Sequence, residues 1–229
     1  MSNQDPFQNL GQEHTIIKPR LGRGAGNTPQ AATSQNAAWP DLLAQQPAPP
    51  GSRIEPGEWL RQLQARCGWS NNVLINQAMP FLLMGANTRL NNVSMSPEAL
   101  SQHWRRGLDE LDRALGQAGH SHTERMSLRY LLCTFLDEMA ACTPWGGMGA
   151  WAPHSLLNQL FNETWGGEKV FQLLERFQRD PRRFIQSMEL IYSCMAVGFK
   201  GKFHIQHEGD LAHQALKSQL FKQIRLQRG

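Results

Sequence analysis

The 229-residue sequence lacks the features that most often indicate a membrane span, a secreted protein or a hydrolase. No apolar run approaches the ~20 residues that a transmembrane helix needs. The N-terminus has neither the basic start nor the apolar centre of a secretory signal. No GxSxG elbow of a serine hydrolase and no CxxC pair occur. We therefore expect the chain itself to be soluble.

Cysteine is scarce, and its positions indicate the redox environment. Cys133, Cys142 and Cys194 lie in apolar stretches with helical spacing, whereas Cys67 stands apart from them. Disulfides are rare in cytosolic proteins, where buried cysteines behave as small apolar residues. Burial would also raise the pKa of the Cys133 thiol and so lower its reactivity. We interpret the three as reduced core thiols of a cytosolic protein.

The candidate catalytic and metal-binding residues do not form a recognised arrangement. A helical zinc protease site needs HExxH, so that two imidazoles share one helix face with a glutamate between them. His204 and His207 have a different spacing, and the acid Glu208 follows them. Ser155 follows His154 directly, but adjacency in sequence does not make a hydrogen-bonded pair. We predict that the protein is not an enzyme and uses no metal and no cofactor.

Residues 1–57 differ in composition from the rest of the chain. They are rich in Gln, Asn, Pro, Ala and Gly and contain few large apolar side chains. Such a segment cannot bury enough surface to offset the entropy of ordering, so we predict a disordered arm. Gly22–Gly26 resembles a phosphate-binding loop only superficially, because no Gly-Lys-Ser/Thr follows it. Residues 58–229 are predicted to form one helical domain.

Caps and breaks in that domain predict an all-α fold of about eight helices, without strand alternation. Ser96-Pro97 and Asp180-Pro181 each place an N-cap before a proline in the first helical turn. The predicted helices are Glu58–Cys67; one capped by Ser70 or Asn71, bent by Pro80 and ending near Leu90; one from Ser96 to about Gln117; one from Ser121 to Ala141; Pro153–Phe161; one ending near Arg179; one from Asp180 to about Val197; and one capped by Asp210 and ending near Leu226, with Leu211, Ala215, Leu216, Leu220 and Ile224 inward.

The stretch Leu128–Ala141 is predicted to be the most buried helix, because its apolar residues occupy more than one helical stripe. Ser121 and Glu124 upstream have the spacing of a capping box. The stretch also contains two adjacent acids, Asp137 and Glu138, whose side chains point roughly 100° apart. At least one must reach solvent or a cation, because an unpaired buried carboxylate is costly. The pair could provide acid/base groups, a recognition patch, or rim acids that make caps or ion pairs.

Two Trp-Gly segments are expected to have structural roles. In the Gly-rich segment that follows the central helix, Trp145 and Trp151 should pin the chain to the core. In Trp165-Gly166-Gly167 we expect a tight turn, with glycine at positive φ and the tryptophan anchoring the corner.

Positive charge is concentrated after residue 199. A basic segment of this kind contacts nucleic acid, anionic lipid or an acidic partner, or forms a solvated face. The basic residues are Lys200, Lys202, Lys217, Lys222, Arg225 and Arg228, and the acidic ones are Glu208 and Asp210.

An ordered series of residues resembles the DotU/IcmH family, called TssL in type VI secretion systems. The resemblance covers about Asn71 to the C-terminus, and the ordered set is more specific than any one motif. The residues are Leu132-Cys133-x3-Asp137-Glu138, Trp145, Trp151, Ser155-Leu-Leu157, Glu163-Thr-Trp-Gly-Gly-Glu168-Lys-x-Phe171 and Leu190-x-Tyr192-x-Cys194-x3-Gly198-Phe199-x-Gly201-Lys202-Phe203.

The resemblance implies a fold, a location and partners. The fold would be two three-helix bundles in a hook-like arrangement on the cytoplasmic face of the bacterial inner membrane. The role would be a non-enzymatic scaffold that binds an IcmF/TssM-type membrane protein and baseplate components such as a TssK-type adaptor, with self-association a further expectation. Asp137 and Glu138 match the family's acidic pair, to which we assign partner binding. Its structural signatures match Trp165-Gly166-Gly167 and Gly198-Phe199-x-Gly201.

The family also has one C-terminal transmembrane helix, which this sequence does not contain. The basic excess before Gly229 is what the cytoplasmic flank of such a helix should carry. We therefore expect this chain to be the cytoplasmic part of a longer protein. The alternatives are a DotU-like scaffold of a type IVB system and a cytosolic helical adaptor or RNA-binding module that uses the basic segment. In our main interpretation the protein does not bind nucleic acid.

Overall fold

The computed structural model describes residues 71–90 and 95–229, in which helices are joined by short 3₁₀ and π-helical turns and no strand occurs. The predicted all-α fold is therefore confirmed. The α-helices are α1 (Val73–Arg89), α2 (Pro97–Gln117), α3 (His122–Ala141), α4 (Leu156–Phe161), α5 (Gly167–Phe177), α6 (Pro181–Val197) and α7 (Gly209–Arg228). The short turns are Gly146–Ala150, Ala152–His154 and Gly201–His204.

Three helices begin at the caps that the sequence predicts. The side chains of Ser96, Ser121 and Asp180 each accept a hydrogen bond from the backbone amide three residues later. Ser121 and Glu124 make both bonds of a capping box. These signals lie within one helical turn, so no distant contact is needed to form them.

Helix α1 begins later than predicted, because its cap is Asn72 and not Ser70 or Asn71. The Asn72 side-chain oxygen accepts a hydrogen bond from the amide of Ile75, and its Nδ2 donates to the backbone oxygen of Gln186 at 2.8 Å. The position of the cap is thus fixed by a contact with α6. Pro80 lies inside α1, as predicted.

Two other predicted starts are wrong. Helix α4 begins at Leu156 instead of Pro153, because Ser155 caps it. Helix α7 begins at Gly209, and Glu208 with φ 57° occupies its N-cap position. The carboxylate of Asp210 instead accepts a hydrogen bond from Lys200 Nζ at 2.6 Å. This ion pair draws the expected capping side chain away from the helix end.

Helix α7 also buries fewer residues than expected. Leu220 and Ile224 are buried and Leu216 is half-buried, but Leu211 and Ala215 are exposed. His213 takes the inward place near the start of the helix, where it is 3% exposed. The buried stripe of α7 therefore begins at a histidine that the apolar pattern does not show.

Helix α3 lies at the centre of the domain, and α1, α2, α4 and α5 pack against it. The prediction that it is the most buried helix is confirmed. Several of its side chains are completely inaccessible, namely Tyr130, Leu132, Cys133, Phe135, Leu136 and Met139. Full burial on several sides fixes the rotation of α3, and so the directions in which its two acids point.

Helix α6 is the centre of a second group, formed with α1, α5 and α7. Its apolar residues Phe184, Met188, Ile191 and Met195 face inward, with Phe184 only partly buried. The two groups share α1 and α5.

Both ends of the described domain meet at one carboxylate on α6. Glu189 Oε2 accepts a hydrogen bond from Asn72 Nδ2 at 2.7 Å. Arg228 donates to the same carboxylate from Nε at 2.7 Å and from Nη2 at 2.8 Å.

Within these residues, no helix is both long and apolar enough to cross a bilayer. The N-terminal arm, Gly22–Gly26, the predicted helix Glu58–Cys67 and Cys67 itself lie outside the described residues.

Candidate functional site

Asp137 is buried near the end of α3 and accepts hydrogen bonds from four donors. Its Oδ1 accepts from Trp151 Nε1 at 2.9 Å and from the amide of Leu156 at 2.8 Å. Its Oδ2 accepts from Ser155 Oγ at 2.8 Å and from the amide of Leu157 at 2.9 Å. The carboxylate thus caps the N-terminus of α4 and holds the preceding segment against the core. We refer to residues 143–157 as the tryptophan loop.

No cation accompanies this carboxylate among the donors just described. Burial raises the pKa of Asp137, while the four hydrogen bonds act in the opposite direction. Backbone amides at a helix start and the indole N–H supply partial positive charge where a cation would otherwise be needed. We expected at least one acid to reach solvent or a cation. Asp137 does neither.

Glu138 is the acid that meets this expectation, because it contacts the imidazole of His204. Its carboxylate accepts hydrogen bonds from the amides of Lys200 at 2.6 Å and Gly201 at 2.7 Å. The His204 Nε2 lies 3.0 Å from its Oε1. These contacts of Glu138 join the end of α3 to residues 198–208, which we call the glycine loop. One helix therefore holds two separate segments through two neighbouring acids.

His204 lies between two groups that favour its charged form. Its Nε2 is 3.7 Å from Cys142 Sγ and 3.0 Å from Glu138 Oε1, and these contacts raise the pKa of His204 to about 9. The imidazole is therefore a cation at neutral pH. The prediction that Cys142 is a core thiol is wrong, because Cys142 follows the last turn of α3 and is exposed. Cys133 and Cys194 are buried, as expected.

The tryptophan loop is pinned by its aromatics, as predicted. Trp151 is buried and packs edge-to-face against Trp104 of α2, with ring centroids 5.3 Å apart. Trp145 is partly buried and lies 6.1 Å from Trp151. These edge-to-face contacts leave the tip of the loop, Met148, in solvent, where it is 83% exposed.

The Trp165-Gly166-Gly167 turn differs from the prediction in both respects. Trp165 is 45% exposed and anchors no corner. Gly166 has φ −109°, and neither glycine has positive φ. The glycines are instead needed for close packing: a Cβ on Gly167 would lie 2.8 Å from the backbone Cα of Gly201, and one on Gly166 would lie 2.5 Å from Thr134 Oγ1.

The second glycine signature, Gly198-Phe199-x-Gly201, lies where α6 ends and the glycine loop begins. Gly198 ends α6 with φ 125°, and Gly201 has φ 51°. Phe199 between them is completely buried and stacks on Phe171 of α5, with centroids 5.8 Å apart. The two glycines therefore let the chain turn sharply enough to insert Phe199 and to present the Lys200 and Gly201 amides to Glu138.

Three buried or partly buried hydrogen bonds could not be predicted from the sequence. His213 Nε2 lies 2.8 Å from the backbone oxygen of Phe199, and burial lowers the pKa of His213. Tyr130 donates to Glu163 Oε2 at 2.8 Å, and Lys169 donates to Glu163 Oε1 at 2.7 Å. No periodic signal could have indicated them, since the partners lie on different elements.

The residues considered for catalysis are occupied in structural contacts. Ser155 donates to Asp137, while the backbone oxygen of His154 accepts from Ser101 Oγ at 2.7 Å. Burial raises the pKa of the Cys133 thiol well above its usual value. Among residues 71–90 and 95–229, no group of three or more His, Cys, Asp or Glu residues is placed to hold a metal ion.

Comparison with known proteins assigns the family. The family described as type VI secretion system protein DotU matches residues 73–229. The crystal structure of TssL from Vibrio cholerae is 34% identical and superposes with a TM-score of 0.61, covering 69% of this chain and 99% of that one. A search of curated proteins gives no match. The matched region includes both acids and both loops that they hold, and the chain belongs to the DotU family of type VI secretion system proteins.

Proposed function

We propose that this protein is a non-enzymatic scaffold of the type VI secretion membrane complex. In this proposal its helical domain lies at the cytoplasmic face of the inner membrane and binds an IcmF/TssM-type protein and baseplate components such as a TssK-type adaptor. The observation that carries the proposal is the DotU family match, which spans the whole domain from α1 to α7. The same match favours type VI secretion over a type IVB scaffold or an RNA-binding module.

The two loops at the end of α3 are our candidates for the docking surface. Asp137 and Glu138 are themselves mostly enclosed, so their contribution to binding would be to hold these loops in position. Each loop presents one exposed large apolar side chain: Met148 is 83% exposed and Ile205 is 78% exposed. Burial of these side chains by a partner would contribute favourably to association.

The test is capture of the full chain by two immobilised baits from the same gene cluster, the cytoplasmic part of the IcmF/TssM-type protein and the TssK-type adaptor. Met148→Ser and Ile205→Ser remove the exposed apolar groups without touching either acid. Leu211→Ser is the matched control, because Leu211 is 69% exposed on α7 outside both loops.

The proposal predicts capture of the wild type and the control by at least one bait, and about tenfold weaker capture of one or both loop variants. Equal capture of all forms would move the docking surface away from these loops while keeping the scaffold. Failure of both baits to capture the wild type would contradict the scaffold role.

A further inference from the structure

A groove lies beside the N-terminal ends of α3 and α6, far along α3 from the acidic pair. Its volume is about 350 Å³, room for on the order of ten water molecules. Apolar side chains from four helices contribute to its walls, among them Leu74, Leu128, Leu131, Leu173, Phe184 and Ile185. A concave surface of this size and composition is suited to receiving a few apolar side chains.

The chain enters the described domain at the edge of this groove. Asn72 Nδ2 donates to the backbone oxygen of Gln186, and Gln186 itself lines the groove. Leu74, two residues further on, also lines it. The residues that precede Asn72 therefore start next to the groove. The four residues 68–71 can span about 13 Å when extended, so residues up to 67 can reach it.

The sequence just upstream has the pattern of one apolar helix face. Trp59, Leu60, Leu63 and Cys67 recur at helical spacing, with polar residues between them. A helix of about ten residues is only marginally stable alone in water. Such a helix forms when its apolar stripe packs against another surface.

We propose that residues 58–70 pack into this groove of the same chain as an amphipathic helix, with Leu60 and Leu63 inserted between α3, α5 and α6. Attachment through residues 68–71 gives the segment an effective concentration in the millimolar range at the groove. A modest apolar contact is sufficient at that concentration. The helical domain then begins near residue 58, and the surface around the groove is closed by the protein itself.

Hydrogen exchange of the full chain, followed by mass spectrometry, tests this directly. Peptides covering residues 58–67 should be protected in the wild type. Leu60→Asp combined with Leu63→Asp should accelerate their exchange about tenfold or more, because charge on the apolar stripe prevents packing. Gln62→Asp combined with Ala65→Asp adds the same charge to the other face and should leave the protection in place.

A second pair of variants tests whether the groove is the receiving surface. Ile185→Ala shortens a half-buried groove residue and should weaken protection of residues 58–67, whereas Leu216→Ala, at an equally half-buried position on α7, should not. Amides of α3 serve as the internal measure of global stability in both variants. An unprotected wild-type segment, or protection indifferent to Ile185→Ala, would overturn the proposal. Protection that rises with protein concentration would assign the groove to a second copy and overturn it as well.

Discussion

Asp137 and Glu138 are neighbours in sequence, yet they solve the problem of an enclosed carboxylate in different ways. Asp137 is stabilised only by neutral donors, two of them backbone amides at the start of α4. Glu138 combines two backbone amides with the imidazole of His204. Because the two side chains point roughly 100° apart, each fixes a different loop to the same helix. Asp137 therefore fixes its loop through the dipoles of neutral donors, whereas Glu138 fixes its loop partly through a histidine that can lose its charge.

Of the substitutions that test this difference between the two acids, Asp137→Ala should reduce the stability of the protein most. The change leaves the Leu156 and Leu157 amides and the Trp151 indole N–H without an acceptor in a buried place, which we expect to cost about 3–5 kcal/mol in the free energy of unfolding. Urea unfolding followed by circular dichroism measures it. Glu175→Ala, at an exposed position of α5, is the matched control and should stay within about 0.5 kcal/mol. Equal stability of the two variants would remove Asp137 from the framework.

Gly167→Ala should have the second-largest effect on stability, because the added methyl group would clash with the glycine loop, which packs against the start of α5. The new Cβ would lie 2.8 Å from Gly201 Cα and 3.1 Å from the amide nitrogen of Lys202, and backbone cannot move aside cheaply. We expect a loss of about 1–3 kcal/mol, measured by urea unfolding. In Gly147→Ala the nearest atom would be 3.7 Å away, so this control should change stability little. A neutral Gly167→Ala would refute the close packing.

Glu138→Gln should destabilise the protein less than Asp137→Ala. The amide keeps one oxygen acceptor for the loop amides but loses the negative charge that favours charged His204, so about 1–2 kcal/mol should be lost. Thermal unfolding of the two variants side by side gives the ranking. If Glu138→Gln proved the more damaging, the charged contact would outweigh the buried cap, contrary to our interpretation.

The smallest expected effect is the pH dependence that His204 contributes on the Glu138 side. The pKa of His204 is raised to about 9 from an ordinary value near 6.5. Its stabilising contribution is thus fully present below pH 6.5 and is lost as pH rises through about 9. The difference in unfolding free energy between wild type and His204→Gln should shrink across this window. A difference that stays constant from pH 6 to pH 9.5 would mean that the imidazole binds as a neutral group.

The fold was predictable where the signal is local. The side chains of Ser96, Ser121 and Asp180 cap their helices by accepting a hydrogen bond from the amide three residues later. Both members of such a bond lie in the same short stretch of sequence, so the cap can be predicted from it. Asn72 makes the same local bond with the amide of Ile75, but neighbouring Ser70 and Asn71 are also suitable cap residues. What distinguishes Asn72 is its contacts with Gln186 and Glu189, more than a hundred residues away. In α7 the predicted cap Asp210 is instead paired with Lys200, ten residues earlier, whereas the start of α4 was wrong although its cap Ser155 is a local signal.

The site was predictable only as a set of alternatives. The sequence shows that two enclosed acids need partners, and it includes caps and ion pairs among the options. The partners of Glu138 lie 62 to 66 residues further on, beyond any periodic pattern. Gly167 shows the other limit: the sequence identifies a glycine, but positive φ and close packing both require one, and only the fold distinguishes them.

The meeting of both chain ends at Glu189 has a mechanical consequence. Tension applied between Asn72 and Arg228 is transmitted first to the three hydrogen bonds that these residues make with one carboxylate. These bonds, together with the one that Asn72 Nδ2 donates to the backbone oxygen of Gln186, hold both ends of the domain on α6. A load passing through the polypeptide would therefore unlock the two ends before it disturbs the helices around α3.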